Sequence, residues 1–249
     1  AIHRGFFPRL HVADLDPTRF YENYVMAYVD RDVRQLRNVG NLGLFQRFLR
    51  AVAGRVGQPI NLSSLGNDVG VNHNTAKAWI DVLEAGFVIH RLLPYYRNFN
   101  KQITKAPKLY FRDTGLLCSL LGIADSVQIG SHYLKGGIFE NFVIQELAKW
   151  QRNRASRESM YFWRDKRGRE IDLLIGVGAS THAMEIKAGE TAASDFFRNL
   201  DYYAALDDSL PAQRRHVVYA GEETQHRTNG KLHAWKELAE PDRLLETAE

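Results

Sequence analysis

Cysteine is almost absent from this sequence, since Cys118 is the single cysteine among 249 residues. An intrachain disulfide framework and a cysteine-cluster zinc site are therefore excluded, and a reducing compartment such as the cytoplasm is expected. Long apolar runs are also missing, because no stretch approaches the roughly 18 to 20 consecutive apolar residues of a membrane span. The first residues do not form a charged-then-apolar signal segment. We expect a soluble cytoplasmic protein with no membrane partner.

A strong excess of one charge is missing as well, because 33 Lys plus Arg against 29 Asp plus Glu leave a net charge of only +4. This balance allows an anionic partner without requiring one. A chain of this length that is 45% hydrophobic can form one large core or two modest ones, and we expect two domains. It begins at Ala1 rather than Met, within what reads as an ongoing segment, so a piece of a longer protein is expected.

The first third of the chain is predicted to be helical. Apolar residues recur at three and four positions in Arg19–Leu36 and in Leu42–Ala53. The segment 60–86 then has helix-turn-helix spacing, with Ser63 as the first cap, Gly70 in the turn and Asn72 as the second cap. Ala76, Trp79, Ile80 and Leu83 would form the buried stripe of the second helix. That leaves three residues of its first turns facing outward, where recognition helices contact DNA: His73, Asn74 and Lys77.

The segment from Arg91 to Arg112 contains several cations and no acidic residue. Interleaved aromatic rings make it typical of a nucleic-acid surface, to which we assign Arg97, Lys101 and Lys105. Phe87–Leu93 and Lys108–Phe111 are predicted to be two strands of a hairpin, which would be the wing of a winged helix. Helix-turn-helix spacing also occurs in modules that only hold domains together, so DNA contact is one of two interpretations.

The second half of the chain alternates helices and strands. A helix is predicted at 136–150, strands at 160–164, 170–175 and 183–186, an amphipathic helix at 193–206 and a further strand at 215–220. This order predicts an α/β sandwich with a mixed central sheet. Arg167 lies in the cation-rich turn between the first two of these strands, where it could contact a phosphate backbone or simply be solvated.

Two acidic residues lie on strands that otherwise carry apolar side chains. Asp172 is embedded in the run Ile171–Ile175, while Glu185 and Lys187, two positions apart, would share one face of the next strand. Buried carboxylates are costly unless they are paired or bind a metal. The pair therefore predicts a site for Mg²⁺ or Mn²⁺, which prefer oxygen ligands. With Lys187 available to stabilise an activated water or a phosphate, the site would suit phosphodiester hydrolysis.

Glu170–Ile175 followed by Glu185-Ile186-Lys187 resembles the D…ExK signature of the PD-(D/E)XK nuclease superfamily. Glu140 on the preceding helix is similar to the acidic residue that members carry there. The resemblance implies that Asp172 and Glu185 ligate the metal, that Glu140 assists as a third metal-binding and catalytic carboxylate, and that Lys187 serves the nucleophile or transition state. Glu170-Ile171 departs from the pattern, because the name-giving proline of the family is missing before Asp172.

Three phrases extend the resemblance over nearly the whole chain. Pro107–Ile123, Gly136–Leu147 and Tyr161–Ile175 resemble the DUF4143 C-terminal region of a bacterial and archaeal family of AAA-type ATPases, and Ala1–Leu10 resembles its connecting segment. The resemblance implies an upstream ATPase module that binds ATP and could form a homo-oligomer. This chain has no GxxxxGK[ST] motif, so ATP would bind only in that absent module.

The sequence therefore predicts an α/β protein in three parts: a helical connector at 1–36, a winged helix-turn-helix domain at 37–130 and a restriction-endonuclease-like sandwich at 131–249. Its expected function is DNA binding with magnesium-dependent nuclease activity. The alternative is a non-catalytic DNA-binding or protein-interaction arm of the ATPase, in which the acids of the strands face solvent or the nuclease fold has lost its activity.

Overall fold

The structure is a computed structural model that describes residues 1–33, 41–95, 106–154, 159–207 and 209–245. The chain divides into two compact units. The first unit comprises Ala1–Arg91 and Pro107–Asn141, and the second comprises Leu92–Ala106 and Phe142–Glu249. Within the described residues, no helix is both long enough and apolar enough to cross a membrane.

The elements up to residue 153 are mainly helical. In chain order they are α1 (Pro8–Val12), α2 (Pro17–Tyr28), a π-helical turn (Val29–Val33), α3 (Leu42–Ala53), α4 (Leu62–Val69), α5 (His73–Ala85), β1 (Ile89–Pro94), β2 (Lys108–Phe111), α6 (Thr114–Leu120), α7 (Ser126–Ser131) and α8 (Lys135–Asn153). The helix predicted over Arg19–Leu36 ends its α-helical part at Tyr28. Residues 34–36 of that prediction lie outside the described part of the chain.

Two helices joined by a glycine turn, α4 and α5, form where the helix-turn-helix spacing predicts them. Gly70 closes α4 with a φ of 82°, a left-handed conformation that glycine adopts without strain. A side chain on Gly66 would come within 2.5 Å of the Val71 carbonyl oxygen, so the turn needs the absence of a Cβ there. The predicted first cap is wrong: Asn61, not Ser63, accepts a hydrogen bond at the start of α4, because the helix begins earlier than expected.

The predicted buried stripe of α5 is confirmed. Ala76, Trp79, Ile80 and Leu83 are all at most 3% exposed. Trp79 packs edge-on against the rings of two phenylalanines of α3, with centroid separations of 5.3 and 5.2 Å to Phe45 and Phe48. Aromatic pairs in this geometry stabilise a core beyond the area they bury. The helix pair is therefore anchored on α3.

The strands of the second half form a mixed sheet. They are β3 (Met160–Arg164), β4 (Glu170–Val177), β5 (Ser180–Lys187), β6 (Arg215–Tyr219), β7 (Gln225–Arg227) and β8 (Gly230–Ala234), and the strand order of the eight-stranded sheet is β2-β1-β3-β4-β5-β6-β8-β7. β3, β4 and β5 pair antiparallel, whereas β5, β6 and β8 run parallel. The expectation of a mixed sheet after N-terminal helices is confirmed.

One face of this sheet packs against the segment that follows β5. The predicted helix over 193–206 is instead a 3₁₀ turn (Ser194–Phe197) continued by α9 (Arg198–Ala204), and α10 (Pro241–Leu245) follows later in the chain. Phe197, Leu200 and Tyr203 pack into a cluster with apolar residues of the central strands, including Leu174, Ala183 and Val217. Burying these side chains contributes roughly 25 cal/mol per Å² of apolar surface. The cluster fixes α9 over β4, β5 and β6.

The cap of α5 gives a direct test of the helix-turn-helix geometry. Asn72 accepts a hydrogen bond from the backbone N–H of Thr75 at 2.9 Å, which satisfies an otherwise unpaired donor. We expect Asn72→Ala to lower the free energy of unfolding by about 1 kcal/mol in urea denaturation. Asn74→Ala is the matched control, because Asn74 is exposed within the helix, and it should change the value little. Equal losses in both variants would contradict the assigned cap.

Candidate functional site

Two acidic side chains face each other across β4 and β5. The antiparallel register pairs Leu173 with Met184, so one further step places Asp172 opposite Glu185. Asp172 is flanked by the buried Ile171 and Leu173, and its Oδ2 accepts a hydrogen bond from the backbone N–H of Ile186 at 2.8 Å. This bond to the neighbouring strand orients the carboxylate before any ligand binds.

Glu185 is the buried member of the pair, with 2% of its side chain exposed. Its Oε2 accepts a hydrogen bond from the Lys187 ammonium, as expected for residues two apart on one strand face. Its Oε1 accepts one from Nδ2 of Asn199 at 3.3 Å. Both carboxylate oxygens are therefore engaged, one by a cation and one by a neutral amide.

Asn199 was missed in the sequence analysis. It lies on α9, which the apolar cluster fixes over β5, so its contact with Glu185 results from tertiary packing. Nothing in the sequence marks Asn199 as a partner of Glu185, because it is only one of several polar residues on a predicted amphipathic helix.

Burial first, and then the negative charge of Asp172, raise the pKa of Glu185 to about 7. Lys187 and Asn199 lower the same pKa by favouring the ionised form. The repulsion between the two carboxylates is what a bound cation would relieve. Mg²⁺ is typically held by one or two carboxylates with several waters, so the donor set fits such an ion. Among the described residues, no group of three or more His, Cys, Asp or Glu side chains could hold a metal.

Glu140 lies in the first unit, on α8, and has strong partners there. Its Oε1 accepts a hydrogen bond from the Lys108 ammonium at 2.9 Å and another from the Tyr110 hydroxyl at 2.6 Å. Lys108 is only 2% exposed, so its charge depends on this carboxylate for compensation. Glu140 therefore has a structural role in the first unit, and its predicted role as a third metal ligand stays a prediction.

The residues assigned to DNA on the helix-turn-helix are placed as the pattern predicts. His73, Asn74 and Lys77 are exposed at the N-terminal end of α5. The acids further along, Asp81 and Glu84, form ion pairs with Arg91. Those pairs reduce the negative charge that the helix would present to phosphates.

The cation-rich segment from Arg91 to Arg112 is less available than its composition indicates. Arg91 and Lys108 are engaged in the ion pairs described above, and the rings of Tyr110 and Phe111 are fully buried. Those two rings cannot stack on bases, so that part of the expectation is wrong. The predicted DNA contacts Arg97, Lys101 and Lys105 lie outside the described residues.

The turn between β3 and β4 presents cations close in sequence to Asp172. Lys166 and Arg167 are exposed, whereas the Arg169 guanidinium lies 3.8 Å from the centroid of the Tyr202 ring. Stacking of this kind holds an arginine in place while leaving its charge intact. Arg167 is accessible to an anionic ligand, and its contact with DNA stays a prediction.

A cavity of about 870 Å³ lies elsewhere, beside α1 and α2 in the first unit. Its walls include the packed rings of Phe7, Phe20 and Tyr24, together with ordinary surface charges. It lacks the opposed carboxylates and neighbouring lysine that give the β4–β5 site its chemistry. We therefore place the candidate site on the sheet rather than in this cavity.

The raised pKa of Glu185 predicts a specific response to its neighbours. In carbon-13 NMR of the side-chain carboxyl, Glu185 should titrate near pH 7, and Asp172→Asn should lower that midpoint by removing a like charge. Lys187→Met should raise it by removing the cation. Because the unfolded chain releases this proton at a lower pH, the contribution of Glu185 to stability is lost as pH rises through about 7. Identical midpoints in all three proteins would contradict this description of the site.

Comparison with known proteins places the chain among domains of unknown function. Residues 135–237 match DUF4143. Uncharacterized proteins Mb2031c of Mycobacterium bovis and Rv2008c of Mycobacterium tuberculosis are each 30% identical over 207 residues, which is 83% of this chain and 45% of the relative. The chain thus spans about half the length of these curated relatives, and no solved structure matches it significantly. Residues 1–127 match DUF8612, and because this match covers half of the sequence, the chain belongs to the DUF8612 family.

Proposed function

We propose that the second unit is a metal-dependent phosphodiesterase acting on DNA, of the PD-(D/E)XK nuclease type. The observation that carries the proposal is the opposed pair of Asp172 and Glu185, with Lys187 paired to Glu185. Burying the carboxylate of Glu185 beside a second, half-buried carboxylate is costly, and a fold tolerates that cost where the charges bind a ligand. A cation and a phosphate are the simplest such partners.

Each side chain has a role that its contacts support. Asp172 is preoriented by the Ile186 N–H, so it can ligate a cation with little reorganisation. Glu185 needs to be ionised to bind a metal, and Lys187 and Asn199 both favour that form. Lys187, on the same strand face as Glu185, would supply a positive charge for a phosphate oxygen. A bound Mg²⁺ or Mn²⁺ would supply Lewis-acid polarisation of the scissile phosphate.

The resemblance to the C-terminal region of AAA-type ATPases supports a wider proposal. The DUF4143 match includes the residues of the candidate site, and the relatives are about twice as long as the aligned part of this chain. We propose that ATP binds in a separate module of the full-length protein and controls the use of this site. This proposal concerns the whole protein, whereas the nuclease proposal is tested on the chain itself.

Cleavage assays test the proposed nuclease. We expect the chain to cleave linear, supercoiled or branched DNA with Mg²⁺ or Mn²⁺, and Asp172→Asn and Glu185→Gln to abolish the activity because each removes an anionic ligand. Asn199→Ala should reduce it roughly 10- to 100-fold, as loss of a residue that orients a ligand does. Glu170→Gln is the matched control, since Glu170 lies on the same strand and pairs with Arg164.

Absence of cleavage by the parent chain with either metal would contradict the proposed activity. Equal cleavage by the parent and by Glu185→Gln would do so as well, because it would assign the activity to a contaminant.

A second candidate function is DNA binding without cleavage, and the exposed first turns of α5 favour it. The helix N-terminus presents backbone N–H groups and a positive dipole beside His73, Asn74 and Lys77, which suits a phosphate backbone. Such binding must weaken as salt concentration rises, because each neutralised phosphate releases counterions.

Salt-dependent binding distinguishes this candidate. If Lys77 contacts a phosphate, Lys77→Ala should reduce the slope of log affinity against log salt by about one. Arg47→Ala serves as the control, because Arg47 is an exposed cation on α3, outside the helix pair. Fluorescence anisotropy with a labelled duplex measures both slopes. An affinity that stays constant as salt rises would rule out binding through phosphates.

A further inference from the structure

Three histidines are buried on three neighbouring parallel strands, and the proposed nuclease does not use them. His182 lies on β5, His216 on β6 and His233 on β8, and their side chains are 1%, 0% and 3% exposed. In the parallel register, His216 pairs with Met184, which lies two residues after His182. His233 pairs with Val218, which lies two residues after His216. Strand alternation therefore places all three rings on one face of the sheet, opposite to the face of Glu185.

The three rings form a continuous hydrogen-bonded row. His182 Nδ1 lies 2.9 Å from His216 Nε2, and His216 Nδ1 lies 3.1 Å from His233 Nε2. The row ends on Glu237, whose Oε2 lies 2.6 Å from His233 Nδ1. The rings of His182 and His216 are also stacked, with centroids 5.1 Å apart, and the ring of His233 is tilted against that of His216 at 5.2 Å.

The carboxylate at the end of the row determines the direction of every hydrogen bond in it. An ionised carboxylate only accepts, so His233 must carry its proton on Nδ1. A neutral imidazole has one ring proton, so His233 Nε2 must accept from Nδ1–H of His216, and His216 Nε2 must accept from Nδ1–H of His182. Each contact then has one donor and one acceptor.

We propose that Glu237, His233, His216 and His182 form a directional row of hydrogen bonds, hereafter the relay, in which the carboxylate holds all three histidines as the neutral Nδ1–H tautomer. The relay holds β5, β6 and β8 together, and acid disrupts it. The relay does not rest on the proposed nuclease activity, because its residues lie on the other face of the sheet. Glu237 is the accessible end, since 37% of its side chain is exposed.

The surroundings of the relay favour neutral rings. Burial lowers the pKa of His182 to about 4 and lowers the pKa values of His216 and His233 as well, although Glu237 opposes the shift at His233. Nearby cations act in the same direction as burial. The charged and titratable groups that act on the row are Arg214 before β6, His226 on β7, Lys231 on β8 and Glu237, to which the Thr224 hydroxyl donates.

The sign of the pH dependence follows from these lowered pKa values. Unfolded histidines take up protons below about pH 6.5, whereas the lowered pKa values keep the folded rings neutral to lower pH, down to about 4 for His182. The unfolded state therefore binds more protons in this window. The stability that the relay provides is present above pH 6.5 and is lost as pH falls towards 4.

Nitrogen-15 NMR of the imidazole rings tests the relay on the intact chain. In the nitrogen-15-labelled protein, long-range correlations should show three of the nine histidines as Nδ1–H tautomers at neutral pH. Their signals should not titrate near pH 6.5, and folded signals should be lost as the pH approaches 4. In Glu237→Ala, the tautomer of His233 should change, because its Nδ1–H no longer has an acceptor.

Glu222→Ala is the matched control, because Glu222 is an exposed acid that pairs with Lys236 and lies outside the row. It should leave all three tautomers unchanged. Nε2–H tautomers at the three sites in the wild-type protein would overturn the proposal, as would ordinary titration of these rings near pH 6.5. The wild-type spectrum decides this even if Glu237→Ala fails to fold.

Discussion

The antiparallel pairing of β4 with β5 is the constraint on which both polar features of the second unit depend. Side chains alternate along a strand, so a slip of one residue would move Glu185 to the opposite face and Asp172 away from it. The hydrogen bond from the Ile186 N–H to Asp172 opposes such a slip, because it ties the acid of one strand to the backbone of the other. The same alternation places His182 on the face opposite to Glu185.

The two faces of the sheet differ in how fully their polar groups are compensated by partners. On one face, burial and the neighbouring charge of Asp172 raise the pKa of Glu185, and Lys187 offsets only part of that effect. On the other face, three histidines and one carboxylate give every close contact a donor and an acceptor. A satisfied network stabilises a fold, whereas an uncompensated charge pair favours binding of a ligand.

The first unit has its own buried ion pair and an exposed helix end. Glu140 compensates for the charge of Lys108, which is buried beside Tyr110. Arg91 pairs with the acids Asp81 and Glu84 on the later turns of α5 and offsets part of their charge, while the cap Asn72 and the exposed Lys77 lie at its start. Charge is therefore distributed so that the helix N-terminus is the part best suited to an anion.

The sequence alone determined the elements whose periodicity is local. Leu42–Ala53, the stripe of α5, the strand Met160–Arg164 and the shared face of Glu185 and Lys187 could all be read from spacing, because side-chain direction repeats every 3.6 or two residues. Tertiary structure decided what depends on pairing partners distant in sequence: Asn199 beside Glu185, Glu140 on Lys108, the burial of Tyr110, and the row of histidines from β5, β6 and β8. Spacing along one strand carries no information about which strand lies beside it, so these contacts could not be predicted from the sequence.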